Sequence, residues 1–242
     1  MNICLWSGAS FEQNYASYHL MEGLINAMLE SGHSVWLIQK KRSTGVMPAS
    51  LKDREQLHIV NIPWSDPKKT NFIQRYIDSI KYYKVCEKKI KKIREIDVVF
   101  LQSNTVAYLP ISFCNKKRLP VLFNVQDIFP IDALVVGMLK KWNPAFIISR
   151  FLMKYAYDRA DRVITISEDL KKTIEGEGCK AVEVIFNWSY QNEPYQIDNK
   201  DNYFLNKYNI KRDDGFRVVY AGNIGKMMNA EMLVQMAVKL ND

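Results

Sequence analysis

The sequence has little of what marks membrane-spanning, secreted or low-complexity chains. Its longest apolar runs, such as Ala133–Leu139, fall far short of the roughly 20 residues that a membrane span needs. The N-terminus has neither a basic segment nor a long apolar one, so we expect no signal peptide. Only 10 Gly and 8 Pro occur in 242 residues, and 48% of the residues are hydrophobic, which excludes a collagen-like or disordered chain.

Cysteine pairs and clusters of metal ligands are also absent from the sequence. Cys4, Cys86, Cys114 and Cys179 form no CxxC motif and have no neighbouring histidine. We therefore predict reduced thiols in the core of a cytosolic protein, and no metal site.

Two nucleotide-binding motifs are missing as well. The first predicted strand-to-helix turn contains one glycine, Gly8, where a dinucleotide fold has GxGxxG. The second predicted strand ends in Gln39-Lys40-Lys41, without the acid that such a fold places on the ribose. GxxxxGK[ST] does not occur either, so an NAD-dependent enzyme and a P-loop NTPase are both disfavoured.

What the chain does have is an excess of positive charge. The formal net charge is +8, and Lys81–Arg94 contains seven basic residues and one acid. Within a predicted amphipathic helix, Lys81, Lys84, Lys88 and Lys91 fall three or four residues apart and form a basic stripe. Such a stripe is either a solvated helix face or a surface that attracts anionic lipid. Nucleic acid is disfavoured, because no aromatic-interleaved basic strand or helix-turn-helix pattern occurs.

Short β-branched runs alternate with helix-length segments along most of the chain. The predicted strands are Ile3–Trp6, Val35–Gln39, His58–Ile62, Val98–Leu101, Val121–Val125, Val163–Ile166, Val182–Phe186 and Arg217–Tyr220. The predicted helices are Tyr15–Ser31, Asn71–Glu95, Val106–Lys117, Ala133–Arg159, Glu168–Glu177 and Ala230–Leu240. Gly32 stands at a helix C-cap position and Ser167 at an N-cap position. The alternation predicts an α/β fold, a Rossmann-like parallel sheet with helices on both faces.

The periodicity ends after Asn187, which predicts a domain boundary. Residues 1–188 form a complete Rossmann-like domain in this interpretation, and the polar segment 189–215 is a linker. Residues 216–242 supply one strand and one helix, which cannot bury a core of their own. We interpret them as the first β-α unit of a second, incomplete Rossmann-like domain.

Ligands of open parallel sheets bind where strands end and helices begin, which singles out two turns. Gln126 and Asp127 follow a predicted strand and can meet a sugar hydroxyl or a reacting centre, although Asp127 can equally cap a turn before Pro130. The segment Gly222-Asn223-Ile224-Gly225-Lys226 precedes a helix. Its two glycines, the helix N-terminus and the lysine charge suit a diphosphate.

Six segments in register resemble the N-terminal domain of a glycosyltransferase of family 4, which has the two-domain GT-B fold. They are Leu29–Val35 (LESGHSV), Ile96–Ser103 (IDVVFLQS), Asn124–Pro130 (NVQDIFP), Arg159–Glu168 (RADRVITISE), Val184–Trp188 (VIFNW) and Tyr220–Gly225 (YAGNIG). The resemblance covers nearly the whole chain. The resemblance is to the bacterial kind of these enzymes, which builds capsular, O-antigen or exopolysaccharide repeat units.

The resemblance implies an active site in a cleft between two Rossmann-like domains, with no metal and no cofactor. The donor is then a nucleotide-sugar such as a UDP-sugar, the acceptor a lipid-linked saccharide, and the anomeric configuration is retained. The diphosphate-binding residues implied are Gly222, Asn223, Gly225 and Lys226. Those implied in or near the acceptor cleft are Gly8, Asn14, Tyr15, Ser103, Ser167 and Glu168, with Gln126 and Asp127 beside the reacting carbon.

The basic residues and the resemblance together predict a location, and the resemblance implies a missing part. The enzyme is expected in the cytoplasm, on the inner face of the plasma membrane, held to anionic lipid through Lys81–Arg94 and through the Lys140-Lys141-Trp142 cluster. The Glu-x7-Glu motif that holds the donor sugar in the family lies beyond Asp242, so we expect this chain alone to be inactive and to need its C-terminal half in the same or another chain. Two alternatives stay open, a non-catalytic acceptor-binding partner subunit and an inactive truncated product.

Overall fold

The computed structural model describes residues 1–8, 10, 18–41, 47–65, 72–188, 202–210, 219–220, 222 and 230–240. The chain divides into two compact units, Met1–Tyr190 and Gln191–Asp242. The assignment of residues 1–188 to an acceptor-side domain and of 189–215 to a linker stays a prediction.

The first unit is built on one parallel sheet. Its strands in the described residues are β1 (Asn2–Trp6), β2 (Ser34–Lys41), β3 (Leu57–Pro63), β4 (Val98–Gln102), β5 (Val121–Val125), β6 (Arg162–Thr165) and β7 (Val182–Val184). Their spatial order is β3-β2-β1-β4-β5-β6-β7, and every neighbouring pair is parallel. This arrangement confirms the predicted α/β class.

Helices cover both faces of this sheet, as predicted. They are α1 (Tyr18–Glu30), α2 (Phe72–Ile90), α3 (Tyr108–Lys117), α4 (Ile131–Val135), α5 (Pro144–Arg159) and α6 (Glu168–Gly176), with a 3₁₀ turn at Ala49–Leu51. Helix α1 packs Ile25 against Leu5 and Leu37 on one face. Helices α2, α3, α5 and α6 form the larger core on the other face.

The central strand shows why these residues pair in a parallel sheet. Cys4, Leu5 and Trp6 of β1 are all fully buried, because the helices cover both faces of the strand. Trp6 packs edge-on against Phe113 of α3, with ring centroids 5.9 Å apart. Successive side chains of β1 therefore enter opposite cores, and this fixes the register of the sheet.

Local signals place the helix ends as the sequence predicts. Gly32 follows α1 at φ +76°, the left-handed conformation that glycine adopts without strain. Ser167 is the N-cap of α6, and its hydroxyl accepts a hydrogen bond from the backbone N–H of Leu170 at 3.2 Å.

One helix prediction is wrong. The apolar pattern of Ala133–Arg159 predicts a single helix, whereas the structure breaks it into α4 and α5. Gly137 adopts φ +72° and ends the first piece, and Pro144 starts the second. Asn143 caps α5 by accepting a hydrogen bond from the N–H of Ala145 at 2.9 Å, so a new helix begins there.

The second unit contributes two helices to the described residues. The first, α7 (Tyr203–Lys207), is capped by Asn202 and lies inside the segment predicted as a linker, so that segment is not wholly irregular. The second, α8 (Ala230–Lys239), agrees with the predicted helix over Ala230–Leu240. Only Val219 and Tyr220 of the predicted strand Arg217–Tyr220 lie within the described residues.

All four cysteines are free and buried, as the sequence predicts. Burial raises the pKa of both the Cys86 and Cys114 thiols to about 12, which keeps them protonated and unreactive at neutral pH. Among the helices that the structure describes, none has the length and apolar character to cross a bilayer.

Candidate functional site

The candidate site lies at the carboxyl edge of the sheet. Because all seven strands are parallel, their carboxyl ends meet along this edge, and the spatial order reverses direction at β1. Open α/β sheets bind ligands in the crevice beside such a reversal. The candidate site residues therefore lie in the segments that follow β1, β4, β5, β6 and β7.

The end of β1 is packed tightly against α2. The hydroxyl of Tyr82 donates a hydrogen bond to the carbonyl oxygen of Ser7 at 2.9 Å. A Cβ added to Gly8 would lie 3.0 Å from the hydroxyl oxygen of Tyr83. The absence of a side chain at Gly8 therefore allows the backbone of this turn to lie close to Tyr83. Asn14 and Tyr15, the other residues predicted in this turn, lie outside the described residues.

Tyr83 itself carries an unusual hydroxyl. The side chain is 2% exposed, and its hydroxyl oxygen has no hydrogen-bond partner in the described part of the chain. Burial raises the pKa of Tyr83 well above its ordinary value, so the group stays a neutral phenol. A buried hydroxyl without a partner costs free energy, so Tyr83 is a weak point directly beneath the first turn.

Amide side chains organise the ends of β4 and β5. Asn124 donates to the Oε1 of Gln102 at 3.0 Å, joining the two strands where they end. The predicted residue Ser103 lies just beyond, with its hydroxyl oxygen 3.5 Å from the backbone nitrogen of Gln126. Asn104 accepts from the N–H of Val106 at 2.9 Å and so shapes the turn into α3.

Gln126 and Asn187 bring β5 and β7 together across β6. The Nε2 of Gln126 lies 3.4 Å from the Oδ1 of Asn187. Ser103, Gln126 and Asn187 thus come from three different strand ends and meet at one edge. Sequence reasoning selected the first two and missed Asn187, although its position after the last strand of the sheet was a usable signal.

Asp127 is exposed at the end of β5. None of the described residues hydrogen-bonds to its carboxylate, so the structure gives no support to a turn-capping role. Burial raises the pKa of the neighbouring Asp132, and the negative charge of Asp127 raises it further. Asp127 therefore supplies the solvent-accessible negative charge at this strand end.

The predicted residues after β6 differ in what they do. Ser167 already accepts the capping hydrogen bond of α6, which is a structural role. Glu168 is exposed in the first turn of the same helix, where its charge is favourable to the helix dipole. Both lie at the carboxyl edge, as predicted.

Of the predicted diphosphate-binding residues, only Gly222 lies within the described residues. A Cβ at Gly222 would clash with the Tyr220 ring. Asn223, Gly225 and Lys226 lie outside them, so the phosphate-binding role stays a prediction. In the part of the chain that the structure describes, no group of three His, Cys, Asp or Glu side chains is placed to hold a metal ion.

Comparison with models of known families shows the family of this chain. The model of Glycosyltransferase Family 4 matches residues 19–188. The chain belongs to this family. The match spans β2 to β7 and includes every described strand end of the candidate site except that of β1. It confirms the family resemblance predicted from the six sequence segments.

A curated relative is similar to part of the chain. The chain is 28% identical over 113 residues to the probable glycosyltransferase WbjE of Pseudomonas aeruginosa. The aligned stretch is 46% of this family 4 chain and only 28% of WbjE.

Solved structures share the fold at low sequence identity. TcCGT1, solved in complex with UDP, has a TM-score of 0.56 and 10% identity, over 86% of this chain and 54% of that one. UGT89C1 of Arabidopsis thaliana, complexed with UDP-L-rhamnose, has a TM-score of 0.53 and 9% identity, over 88% and 56%. This family 4 chain therefore spans about half the length of these GT-B glycosyltransferases.

Proposed function

We propose that this chain is the acceptor-side part of a glycosyltransferase that moves a sugar from a nucleotide-diphosphate sugar to a lipid-linked saccharide. The observation that carries the proposal is the polar cluster of Ser103, Gln126, Asp127 and Asn187 at the carboxyl edge of a family 4 domain. Such an edge is where α/β sheets bind small ligands, and amide and carboxylate groups suit sugar hydroxyls.

In the proposed reaction Asp127 acts on the acceptor. Its carboxylate accepts the proton of the attacking hydroxyl while the new glycosidic bond forms, and the nucleoside diphosphate leaves with the electron pair of the broken bond. Gln126 orients the acceptor through its side-chain amide. We propose that the acceptor hydroxyl attacks from the same face that the nucleoside diphosphate leaves, so that the configuration at the sugar carbon is retained, and that no metal or organic cofactor takes part.

The proposed donor is a UDP-sugar. UDP and UDP-L-rhamnose are the ligands named for TcCGT1 and UGT89C1, which share the fold of this chain. We propose that Gly222, Asn223, Gly225 and Lys226 bind the diphosphate, with the rest of the donor site supplied by a C-terminal half in the same or another chain.

The test of this function is transfer of labelled sugar into lipid. The polypeptide purified from its own cells is incubated with their membrane lipids and with radiolabelled UDP-sugars in turn. Label in the organic phase that is released by mild acid supports transfer to a lipid-linked acceptor. Label released only as free sugar, or no label with any nucleotide-sugar, contradicts it.

Replacing Lys226 with Ala in the same polypeptide is expected to weaken UDP binding by about tenfold, because one full charge on the diphosphate is lost. Isothermal titration with UDP measures the effect. Lys239 at the end of α8 offers a matched lysine-to-alanine control outside the proposed loop. Equal affinity of the Lys226→Ala protein and the original would show that the phosphate assignment is wrong.

We also propose that the protein works in the cytoplasm at the inner face of the plasma membrane, on the synthesis of a bacterial surface polysaccharide. Lys81, Lys84 and Lys88 of the predicted basic stripe are exposed on α2, and Lys91 is exposed in the turn directly after it, which supports attraction to anionic lipid.

Changing all four lysines of the stripe to Glu is expected to reduce binding to vesicles that contain phosphatidylglycerol by more than tenfold, since each basic residue contributes about 1 kcal/mol at such a surface. Sedimentation with vesicles measures this. Unchanged binding would leave the stripe as an ordinary solvated helix face.

The alternative function is a non-catalytic acceptor-binding subunit. It is favoured if the purified polypeptide binds the lipid-linked saccharide but neither binds UDP nor transfers sugar. An inactive truncated product is favoured if it binds neither.

A further inference from the structure

Six large apolar side chains crowd the surface around α4 and the first half of α5. We call this set the α4–α5 surface. It consists of Val135, Met138, Trp142, Ile147, Ile148 and Phe151, each of which is more than half exposed. Val135, Trp142 and Phe151 are 76%, 87% and 70% exposed. Isolated apolar residues are normal on a surface, whereas a cluster of this kind marks an interaction site.

A groove of ≈ 590 Å³ runs through this surface. Its apolar wall is formed by Ile131, Leu134, Phe146, Ile147 and Phe151. It is lined by residues of α4, of α5 and of the end of α6, and so lies beside the break that Gly137 makes between α4 and α5.

Positive charge surrounds the apolar side chains. Lys140 and Lys141 precede Trp142 in the chain, and Lys141, Arg150 and Lys154 line the groove. Glu177 pairs with Arg150 at 2.7 Å, and its backbone carbonyl accepts a hydrogen bond from Lys154 at 2.8 Å. Of these basic residues only Arg150 pairs with a carboxylate among the described residues, so Lys140, Lys141 and Lys154 leave this surface with an excess of positive charge.

This combination fits a bilayer interface with anionic lipid better than it fits another protein. Trp and Lys or Arg are the side chains that anchor proteins at the level of the lipid headgroups, with aliphatic and aromatic neighbours inserted below. Protein interfaces, in contrast, are depleted of lysine at their centres. The charge is complementary to phospholipid, and long lysine side chains can reach headgroups while apolar neighbours insert.

The position of the surface relates it to the candidate site. Helix α4 begins four residues after Asp127, at the carboxyl edge of the sheet, and α5 runs from that edge toward the opposite one. The basic stripe on α2 extends toward the amino edge, since α2 ends shortly before β4 begins. The α4–α5 surface is therefore adjacent to the site, whereas much of the stripe is remote from it.

We propose that the α4–α5 surface inserts into the headgroup region of an anionic bilayer and so presents the carboxyl edge of the sheet, with Gln126 and Asp127, to the membrane surface. The proposal rests on the membrane association proposed above and adds which surface inserts. A lipid-linked acceptor would then reach the site without leaving the bilayer.

The experiment measures binding of the full chain to vesicles, without donor or acceptor. Vesicles of phosphatidylcholine with and without phosphatidylglycerol are sedimented with the original protein and with a Trp142→Glu, Phe151→Glu double variant. The matched control is Val234→Glu, Val238→Glu, which changes two exposed apolar residues of α8 by the same charge and leaves both α2 and the α4–α5 surface intact. We expect binding to anionic vesicles about tenfold weaker, or worse, for the first variant and near the original for the control.

A conservative variant keeps the test valid if an acidic variant unfolds. In the original protein we expect brominated lipids to quench part of the tryptophan emission, and in Trp142→Phe that quenching should disappear while binding persists. Equal weakening in both acidic variants, or no quenching of Trp142, overturns the proposal. It is also overturned if the chain is a dimer that the α4–α5 variant converts to a monomer, because a second copy is then the occupant. Sugar transfer in detergent is independent of all these outcomes.

Discussion

Replacing Asp127 with Asn is expected to reduce kcat for sugar transfer by about 10²–10⁴-fold, the usual effect of losing a positioned general base. The carboxylate is exposed at the end of β5, and the described residues offer it no hydrogen bond that would give it a structural duty. Asn has nearly the same shape but cannot accept the proton. Rates are measured in a preparation that transfers sugar, at saturating donor and acceptor.

The comparison variants separate chemistry from folding. Asp158→Asn, on the exposed side of α5, removes the same charge away from the carboxyl edge and should leave kcat unchanged. Melting temperatures of both variants should stay near that of the original, because neither side chain is buried. A kcat for Asp127→Asn within threefold of the original would remove Asp127 from the proposed mechanism.

Gln126→Ala should act differently from Asp127→Asn. The amide of Gln126 lies 3.4 Å from Asn187, and in the proposed reaction it orients the acceptor. Removing it is therefore expected to loosen the position of the acceptor without removing the base, Asp127. The expected signature is a KM for acceptor that rises more than kcat falls. Equal losses in kcat and in kcat/KM would instead give Gln126 a role in the transition state.

The strands of this fold are predictable because a parallel sheet covered on both faces leaves continuous apolar runs in the sequence. Val98–Leu101 and Val121–Val125 are placed within a residue of β4 and β5 on that signal alone. Two strands differ by more: β7 ends at Val184, two residues before the predicted Phe186, and β2 continues past Gln39 to Lys41. There the pairing is made by the backbone, with Lys41 opposite Pro63, after the side chains have become polar.

The break between α4 and α5 could not be predicted from apolar spacing. Both helices pack on the same core, Ile131 on one and Met153 on the other, so the apolar pattern runs on through the turns between them. The local signals were Gly137 and the Asn143-Pro144 pair, which are typical of a helix stop and a new start. These two signals, and not the apolar spacing, predict the break.

The contacts of the candidate site were only partly predictable. Topology alone places Ser103, Gln126, Ser167 and Glu168 at one edge, because parallel strands share their carboxyl ends. The meeting of Gln126 with Asn187 depends on two residues 61 positions apart, and no local pattern encodes it. The same is true of Gly8 and Tyr83, whose contact depends on how α2 lies against β1.

The close contact between Gly8 and Tyr83 yields a prediction with its own internal control. Gly8→Ala is expected to destabilise the chain by about 1–3 kcal/mol, the usual cost of forcing extra volume into a packed site. The added Cβ would lie 3.0 Å from the hydroxyl oxygen of Tyr83, which is tighter than ordinary contacts, and the Tyr83 side chain is only 2% exposed and so has little room to move away. Urea unfolding of the full chain measures the loss.

Tyr83→Phe should have the opposite effect. The hydroxyl has no hydrogen-bond partner within the described ranges, so its removal is expected to stabilise the chain by about 1 kcal/mol. In the Gly8→Ala, Tyr83→Phe double variant, the nearest ring carbon would lie 3.8 Å from the new Cβ, an ordinary van der Waals contact. Most of the loss caused by Gly8→Ala should therefore be recovered.

The double-mutant cycle isolates this one contact. A coupling free energy of about 0.5–3 kcal/mol between the two positions is expected, since the changes act on atoms that touch. Strict additivity would mean that the cost of Gly8→Ala arises in the turn itself and not against Tyr83.

Because the turn after β1 borders the proposed acceptor cleft, the double variant also tests function. If it recovers stability but not the KM for acceptor, Gly8 is required by the ligand as well as by the packing.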